Sequence, residues 1–220
     1  MIAAAGSGSR LGAGGPKALV EVAGRPLVAW SVLALGTAER VAGIVIAAPP
    51  GHEEDVARAA DEPGVTVVSG AGSRSGSVAN ALATVETELV VIHDAARPLA
   101  APALFDAVVA ELTADEEAAG VIAGAPVADT LKRAASGDLT ITETVDRAGL
   151  WAVQTPQAFR TAALRDAHAA DPVRVAAATD DAMLVEAAGG RVRVHAVAEP
   201  NAKVTSPADL TIATALLAAR

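Results

Sequence analysis

Through the first 127 residues of this chain, short apolar runs bounded by Gly or Pro alternate with amphipathic stretches, and this alternation constrains the fold more than any other feature. Residues 2–5, 41–47, 65–69, 89–93 and 120–127 read as strands, with helices at 26–35, 53–60, 74–85 and 102–112 between them. Pro102 falls in the first helical turn, where a missing N–H costs nothing. The run 89–93 is continuously apolar up to His93, the pattern of a strand covered on both faces. Such a βαβα rhythm predicts a mostly parallel sheet with helices on both sides. It resumes later with helices at 161–169 and 179–188, a strand at 191–196 and a last helix at 207–219. The 220 residues suit one sizeable α/β domain spanning 1–220.

Residues 128–145 break the rhythm. They are polar, rich in Thr and charge, and interrupted by Ser136-Gly137-Asp138, so they read as a β-hairpin with strands at 129–134 and 140–145. A lone hairpin is marginal in water, so this one should lean on something, such as a second subunit.

Composition narrows the function. Hydrophobic residues make up 52% of the chain and aromatics only 2%, so Ala, Val, Leu and Ile must build the core by number rather than size. A net charge of -9 argues against a nucleic-acid binder, which needs a basic face. It leaves room for a nucleotide site, because a few cations focused in one cleft suffice. With no Cys, disulfide scaffolds, thiolate metal sites and cysteine nucleophiles are excluded. No apolar run reaches the ~18 residues of a membrane span. No basic-then-apolar leader opens the chain, so a cytoplasmic enzyme with no membrane partner is expected.

Three stretches carry the chemistry. The first strand runs into Ala3-Ala4-Ala5-Gly6-Ser7-Gly8-Ser9-Arg10, then Gly14-Gly15-Pro16-Lys17. A glycine cluster alone fits a flexible turn with solvated charges. The order strand, small-residue loop, two cations points instead to phosphate, held by backbone N–H groups with Arg10 and Lys17 beside them. It is not a Walker A loop, since Ala18 follows Lys17, and it lacks the third Gly and ribose-binding acid of a dinucleotide fingerprint. Next, His93-Asp94-Ala95-Ala96-Arg97 brings charge to the carboxyl end of a buried strand, where open α/β sheets bind ligands. Asp94 suits Mg²⁺ and Arg97 suits a phosphate; the alternative is a helix-capping Asp paired to its Arg. His93 reads as a packing or hydrogen-bonding residue. The third stretch, Asp146-Arg147 through Gln154-Thr155-Pro156-Gln157 with Asn201-Ala202-Lys203, is weak by itself, since a lone Arg or Lys is usually a solvated charge.

Taken in order, these motifs resemble the 2-C-methyl-D-erythritol 4-phosphate cytidylyltransferase family of the non-mevalonate isoprenoid pathway. Ser73-Arg74-Ser75-Gly76-Ser77-Val78, Asp129-Thr130-Leu131-Lys132 and Thr179-Asp180-Asp181-Ala182 add to the likeness, which covers nearly the whole chain. The resemblance implies a three-layer, Rossmann-like nucleotidyltransferase fold (GT-A-like) with a protruding hairpin arm at about 126–149 that dimerises. It implies transfer of CMP from CTP to the polyol phosphate, releasing pyrophosphate, with Mg²⁺ as cofactor. Arg10 and Lys17 match the pair that stabilises the α-phosphate in the transition state, and Arg147 and Lys203 the pair that positions the acceptor. Asp94, Arg97, Thr130 and Thr155 match further acceptor contacts, and Ala4, Ala5, Gly6 and Ser77 the surface that reads CTP. The chain departs from the family in having Ala3 for Pro, Ala18 for Gln, and Ala71-Gly72 for a Gly-acid pair near the base. No fused cyclodiphosphate synthase domain is expected in this length. A ribitol 5-phosphate cytidylyltransferase is the nearest alternative, and a non-catalytic nucleotide-binding module the alternative from another class; the intact cations weigh against the second.

Overall fold

The computed structural model describes residues 1–12 and 14–220. A seven-stranded sheet forms its middle layer: β1 (Ile2–Ala3), β4 (Ile44–Ala48), β5 (Val65–Ser69), β6 (Leu89–Asp94), β7 (Ala118–Pro126), β10 (Trp151–Arg160) and β11 (Arg191–Ala196). Their spatial order is β11-β7-β10-β6-β1-β4-β5. Pairing is parallel except along β10, which runs antiparallel to both β6 and β7.

Successive side chains of a strand face opposite ways, and β6 feeds both cores. Val91 joins the layer of α1 (Leu27–Thr37), α2 (Glu53–Ala60) and α4 (Pro102–Ala114), with Leu35, Val56, Phe105 and Leu112 fully or almost fully buried. Val90 and Ile92 join the other layer, of α3 (Arg74–Leu82), α5 (Thr161–His168) and α7 (Asp181–Ala187), around Phe159, Leu164 and Val185. The predicted sandwich of helix, sheet and helix is therefore the observed one. A third apolar cluster, of Leu11, Val22, Leu27, Leu99, Val204, Ala213 and Leu217, packs α8 (Pro207–Ala218) against the loops at the carboxyl edge of the sheet.

The structure corrects several expectations. β10 reads in sequence only as motifs, because Pro156 lacks a ladder donor and breaks a strand pattern. The strand tolerates it where its register with β7 shifts, between Val153 and Gln157. The ribbon of β2 (Glu21–Val22) and β3 (Arg25–Pro26) and the short helix α6 (Pro172–Ala177) also escape the sequence reading. The hairpin 128–145 exists as β8 (Leu131–Ala134) and β9 (Ile141–Val145), so Thr130 precedes its first strand rather than lying in it. This hairpin grows from the end of the β7–β10 ladder, where Trp151 pairs with Pro126, and it is held by surface bonds such as Arg133 to Glu143 at 2.9 Å. Leu139 and Ile141 are 76% and 60% exposed on it, so it has no core of its own.

Candidate active site

At the carboxyl edge of β1 and β6 lies a cleft of about 490 Å³. Its floor is Ala3–Gly6 and the end of β6; its walls are the Ser7–Arg10 loop with Lys17, the 71–74 turn with Ser77, and Lys203 with Thr205. Parallel strands ending side by side with different loops leave such a crevice.

The glycine loop folds back on itself. Lys17 N–H donates to the Gly6 carbonyl at 3.1 Å, and Gly8 at φ 69° passes so near that a Cβ there would stand 3.0 Å from Lys17 Cβ. Glycine is thus required by both conformation and space. The loop is pinned by Leu11, buried in the third apolar cluster, and Val204 of the same cluster pins the Lys203 loop. One packing unit therefore sets Arg10, Lys17 and Lys203 around the same opening. The Lys203 loop is further tied down by Val204 N–H to the Ala96 carbonyl (2.8 Å) and Asn201 Nδ2 to the Thr155 carbonyl (2.8 Å). Burial, then Lys203 and Arg10, push the Lys17 ammonium below its ordinary pKa. Like charges gathered this closely make a receptor for a polyanion.

On the opposite wall, Ser77 lines the cleft but its hydroxyl is committed to the 71–73 turn, accepting from Ala71 N–H (2.9 Å) and donating to the Ser73 carbonyl (2.8 Å). Ser77 thus shapes this wall from behind. Gly70 lies beneath it, where a Cβ would stand 2.6 Å from Ala5 Cβ and 2.7 Å from the Ala48 carbonyl oxygen.

Asp94 is nearly buried at the end of β6. Lys203 Nζ reaches its Oδ2 at 2.6 Å and Arg74 Nε its Oδ1 at 3.4 Å. Burial alone would raise the Asp94 pKa; Arg74 and Lys203 overcome it and hold the carboxyl at about 2. Asp94 is therefore an anion facing two cations. Among the described residues no cluster of three or more His, Asp and Glu could cage a metal.

His93, read from sequence as a packing residue, is fully buried, edge-on to Phe105 with ring centroids 4.9 Å apart. Its tautomer follows from its partners. The Arg97 carbonyl, 3.2 Å from Nε2, can only accept, so Nε2 carries the proton. Nδ1 then accepts from the Thr155 hydroxyl at 3.2 Å, and that hydroxyl oxygen accepts Asp94 N–H at 3.0 Å. Burial, opposed by Asp94, pushes the His93 pKa down to about 4. Unfolded His93 takes a proton near 6.5, the folded one only near 4, so its contribution to stability is full above 6.5 and lost as pH falls through 4. The loss amounts to roughly 3 kcal/mol. Urea titrations at pH 7 and pH 4.5 should show His93→Gln to be less stable at pH 7 but to lose clearly less on acidification than the parent; equal losses would remove His93 as the cause.

Of the twelve residues expected at the site, Ala4, Ala5, Gly6, Arg10, Lys17, Ser77, Asp94 and Lys203 line this cleft, and four do not. Thr155 stands behind Asp94 with its hydroxyl already engaged. Arg97 turns away, donating to the Asn201 carbonyl at 2.7 Å. Thr130 and Arg147 sit exposed at the base of the arm, Arg147 donating to the Ala128 carbonyl. The sequence reading left two charged residues of this region without a role. Arg74 borders the cleft, and Asp181, wholly buried behind it, accepts from Arg74 at 2.6 Å. Both lie in quoted motifs, but nothing in a linear sequence joins residues 107 positions apart.

Comparison with known proteins points to one family. The family model described as IspD, 2-C-methyl-D-erythritol 4-phosphate cytidylyltransferase, matches residues 1–219. A protein of that name from Parasynechococcus marenigrum is 43% identical over 225 residues, covering 100% of this chain and 97% of that protein. One from Frankia casuarinae is 44% identical over 220 residues, covering 99% of this chain and 80% of that protein. Among solved structures, the 2-C-methyl-D-erythritol 4-phosphate cytidylyltransferase of Thermus thermophilus superimposes with a TM-score of 0.78 at 35% identity, covering 98% of this chain and 96% of that one. The 4-diphosphocytidyl-2C-methyl-D-erythritol synthase of Anaerococcus prevotii gives a TM-score of 0.83 at 26% identity, over 99% and 94%. With its cations gathered at the strand ends and its whole length matched, the chain belongs to the 2-C-methyl-D-erythritol 4-phosphate cytidylyltransferase family.

Proposed function

We propose that this chain transfers CMP from CTP to 2-C-methyl-D-erythritol 4-phosphate, giving 4-diphosphocytidyl-2-C-methyl-D-erythritol and pyrophosphate, in isoprenoid precursor synthesis. The observation that carries this reading is the convergence of Arg10, Lys17 and Lys203 on one cleft at the sheet edge.

The nucleophile is the acceptor's own phosphate, whose second pKa is about 6, so it is largely dianionic at neutral pH. Its oxygen forms the new bond to the α-phosphorus as the bond to the bridging oxygen breaks, and pyrophosphate leaves in line. No side-chain base is required. The barrier is the approach of two anions, and fixed cations together with orientation lower it. In this reading Arg10 and Lys17 face the α-phosphate, the Ala4–Gly6 backbone meets the nucleotide, and Lys203 holds the acceptor phosphate, itself aimed by Asp94. Magnesium arriving on the triphosphate would supply further charge neutralisation. Among the described residues Asp94 is the one carboxylate lining the cleft, which would suit an ion held chiefly by phosphate oxygens, as Mg²⁺ commonly is.

We further infer a homodimer in which Thr130 and Arg147 serve the partner's cleft. In support, neither lines the cleft of its own chain. The arm also leaves Leu131, Leu139, Ile141 and Trp151 exposed, an apolar surface suited to a second copy. Among the described residues no helix is long and apolar enough to cross a membrane. Charged substrates of this kind, which do not cross a bilayer unaided, support a reaction in the cytoplasm.

Pyrophosphate release tests the reading. CTP with methylerythritol phosphate should give rapid release, the other nucleotides and ribitol 5-phosphate at least about tenfold less by kcat/KM, and CTP alone almost none. EDTA should abolish the signal. Equal rates with ribitol 5-phosphate would overturn the acceptor, and full activity in EDTA would overturn the metal.

A further inference from the structure

Behind the cleft, basic and acidic side chains alternate from the surface into the core. Lys203 meets Asp94 at 2.6 Å, Asp94 meets Arg74 at 3.4 Å, Arg74 meets Asp181 at 2.6 Å, and Asp181 meets His168 Nε2 at 3.0 Å. The first three line the cleft. Asp181 and His168 do not; their side chains are 1% and 5% exposed. Four elements meet here, since Asp94 ends β6, Arg74 opens α3, Asp181 opens α7 and His168 ends α5. The reaction requires no acid at the depth of Asp181, yet a carboxylate is buried there against Arg74. A buried ion pair is weak evidence for stability, since packed apolar residues would often do as well, so its presence calls for another reason.

Orientation is that reason. An arginine fork can meet two carboxylates from fixed directions, which a solvated lysine cannot. Burial works against the charge of Arg74, and Asp181 with Asp94 overcomes it. With NH1 anchored on Asp181, only Nε faces Asp94, which leaves Oδ2 to Lys203. We propose that Asp181 and Arg74 are positioning residues: Asp181 restrains Arg74, and Arg74 so oriented leaves Asp94 to aim Lys203 at the acceptor phosphate. This rests on the reading that Lys203 meets the acceptor.

Without its anchor, Arg74 closes on Asp94 with both nitrogens and displaces Lys203. Asp181→Asn should therefore raise KM for methylerythritol phosphate, by up to about 10²-fold, with KM for CTP nearly unchanged. Adding Asp181→Asn to Arg74→Met should change the kinetics no further, because the relay is already cut. A lower melting temperature is expected under any role and decides nothing by itself; a melting shift with wild-type kinetics would overturn the proposal. So would losses of equal size for both substrates that add to those of Arg74→Met. If Asp181→Asn does not fold, Arg74→Lys is read instead, because one amine cannot span both carboxylates; an unchanged acceptor KM there would overturn the proposal as well. The parent enzyme separates the two levels. If it transfers no CMP to methylerythritol phosphate, the functional reading fails, and a crystal structure of Asp181→Asn still decides the relay by whether Lys203 Nζ has left Asp94.

Discussion

Lys17→Ala should lower kcat by about 10²–10³-fold while leaving KM for CTP within a few-fold, the usual cost of removing one fixed donor aimed at developing charge. Lys17 does not project freely from the surface. Its backbone is tied to Gly6, Gly8 packs against its Cβ, and it shares the cleft with Arg10 and Lys203. Those neighbours, after burial, already disfavour its charge, so an arriving polyanion relieves that crowding. Ground-state binding of CTP retains Arg10 and the loop backbone. On the proposed reading the α-phosphate gains charge as attacking and leaving oxygens are both attached, and Arg10 alone would not replace what Lys17 adds there. Steady-state kinetics against both substrates is the measurement. A near-normal kcat with only a raised KM for CTP would make Lys17 a binding residue.

Mixing Lys17→Ala with Arg147→Ala should recover activity that neither variant has alone. Each homodimer should be nearly inactive. The sequence-based assignment gives Arg147 an acceptor-positioning role, yet it stands on the exposed turn between β9 and β10, outside the cleft of its own chain. If the arm reaches across, a mixed dimer carries both defects in one site and none in the other. Random exchange makes about half the dimers mixed, each with one good site of two, so roughly a quarter of wild-type activity returns. If Arg147 acts within its own chain, every site keeps one defect and mixing restores nothing. Subunit exchange, followed independently by mass, makes a negative result decisive against the shared site.

Much of this molecule was legible in its residues because short-range rules governed it. Apolar runs at strand period and Gly or Pro at their ends located six of the seven strands of the central sheet. The continuous run before His93 announced a strand covered on both faces, and the two helical layers cover it. Strand, small-residue loop and cations likewise placed Arg10 and Lys17 at the cleft, since that loop is made of nearly consecutive residues. β10 was hidden for a physical reason. Its inner half is buried but carries Thr155, Pro156 and Gln157; the Thr155 hydroxyl and the Gln157 amide nitrogen find partners far along the chain, Gln157 Nε2 donating to Asp180 at 3.0 Å.

The sequence by itself thus determined the layered α/β class, the small-residue loop with its two cations, and the family. Only the tertiary structure decided which charges stand together. It turned Arg97 onto the Asn201 carbonyl, placed Thr155 behind Asp94 as a hydrogen-bond relay to His93, and joined Arg74 to Asp181 across 107 positions. A lone Arg or Asp looks the same in a sequence whether solvated or buried. Its role is set by the low-dielectric surroundings and the partner that folding brings within about 3 Å, and that pairing carries no local pattern.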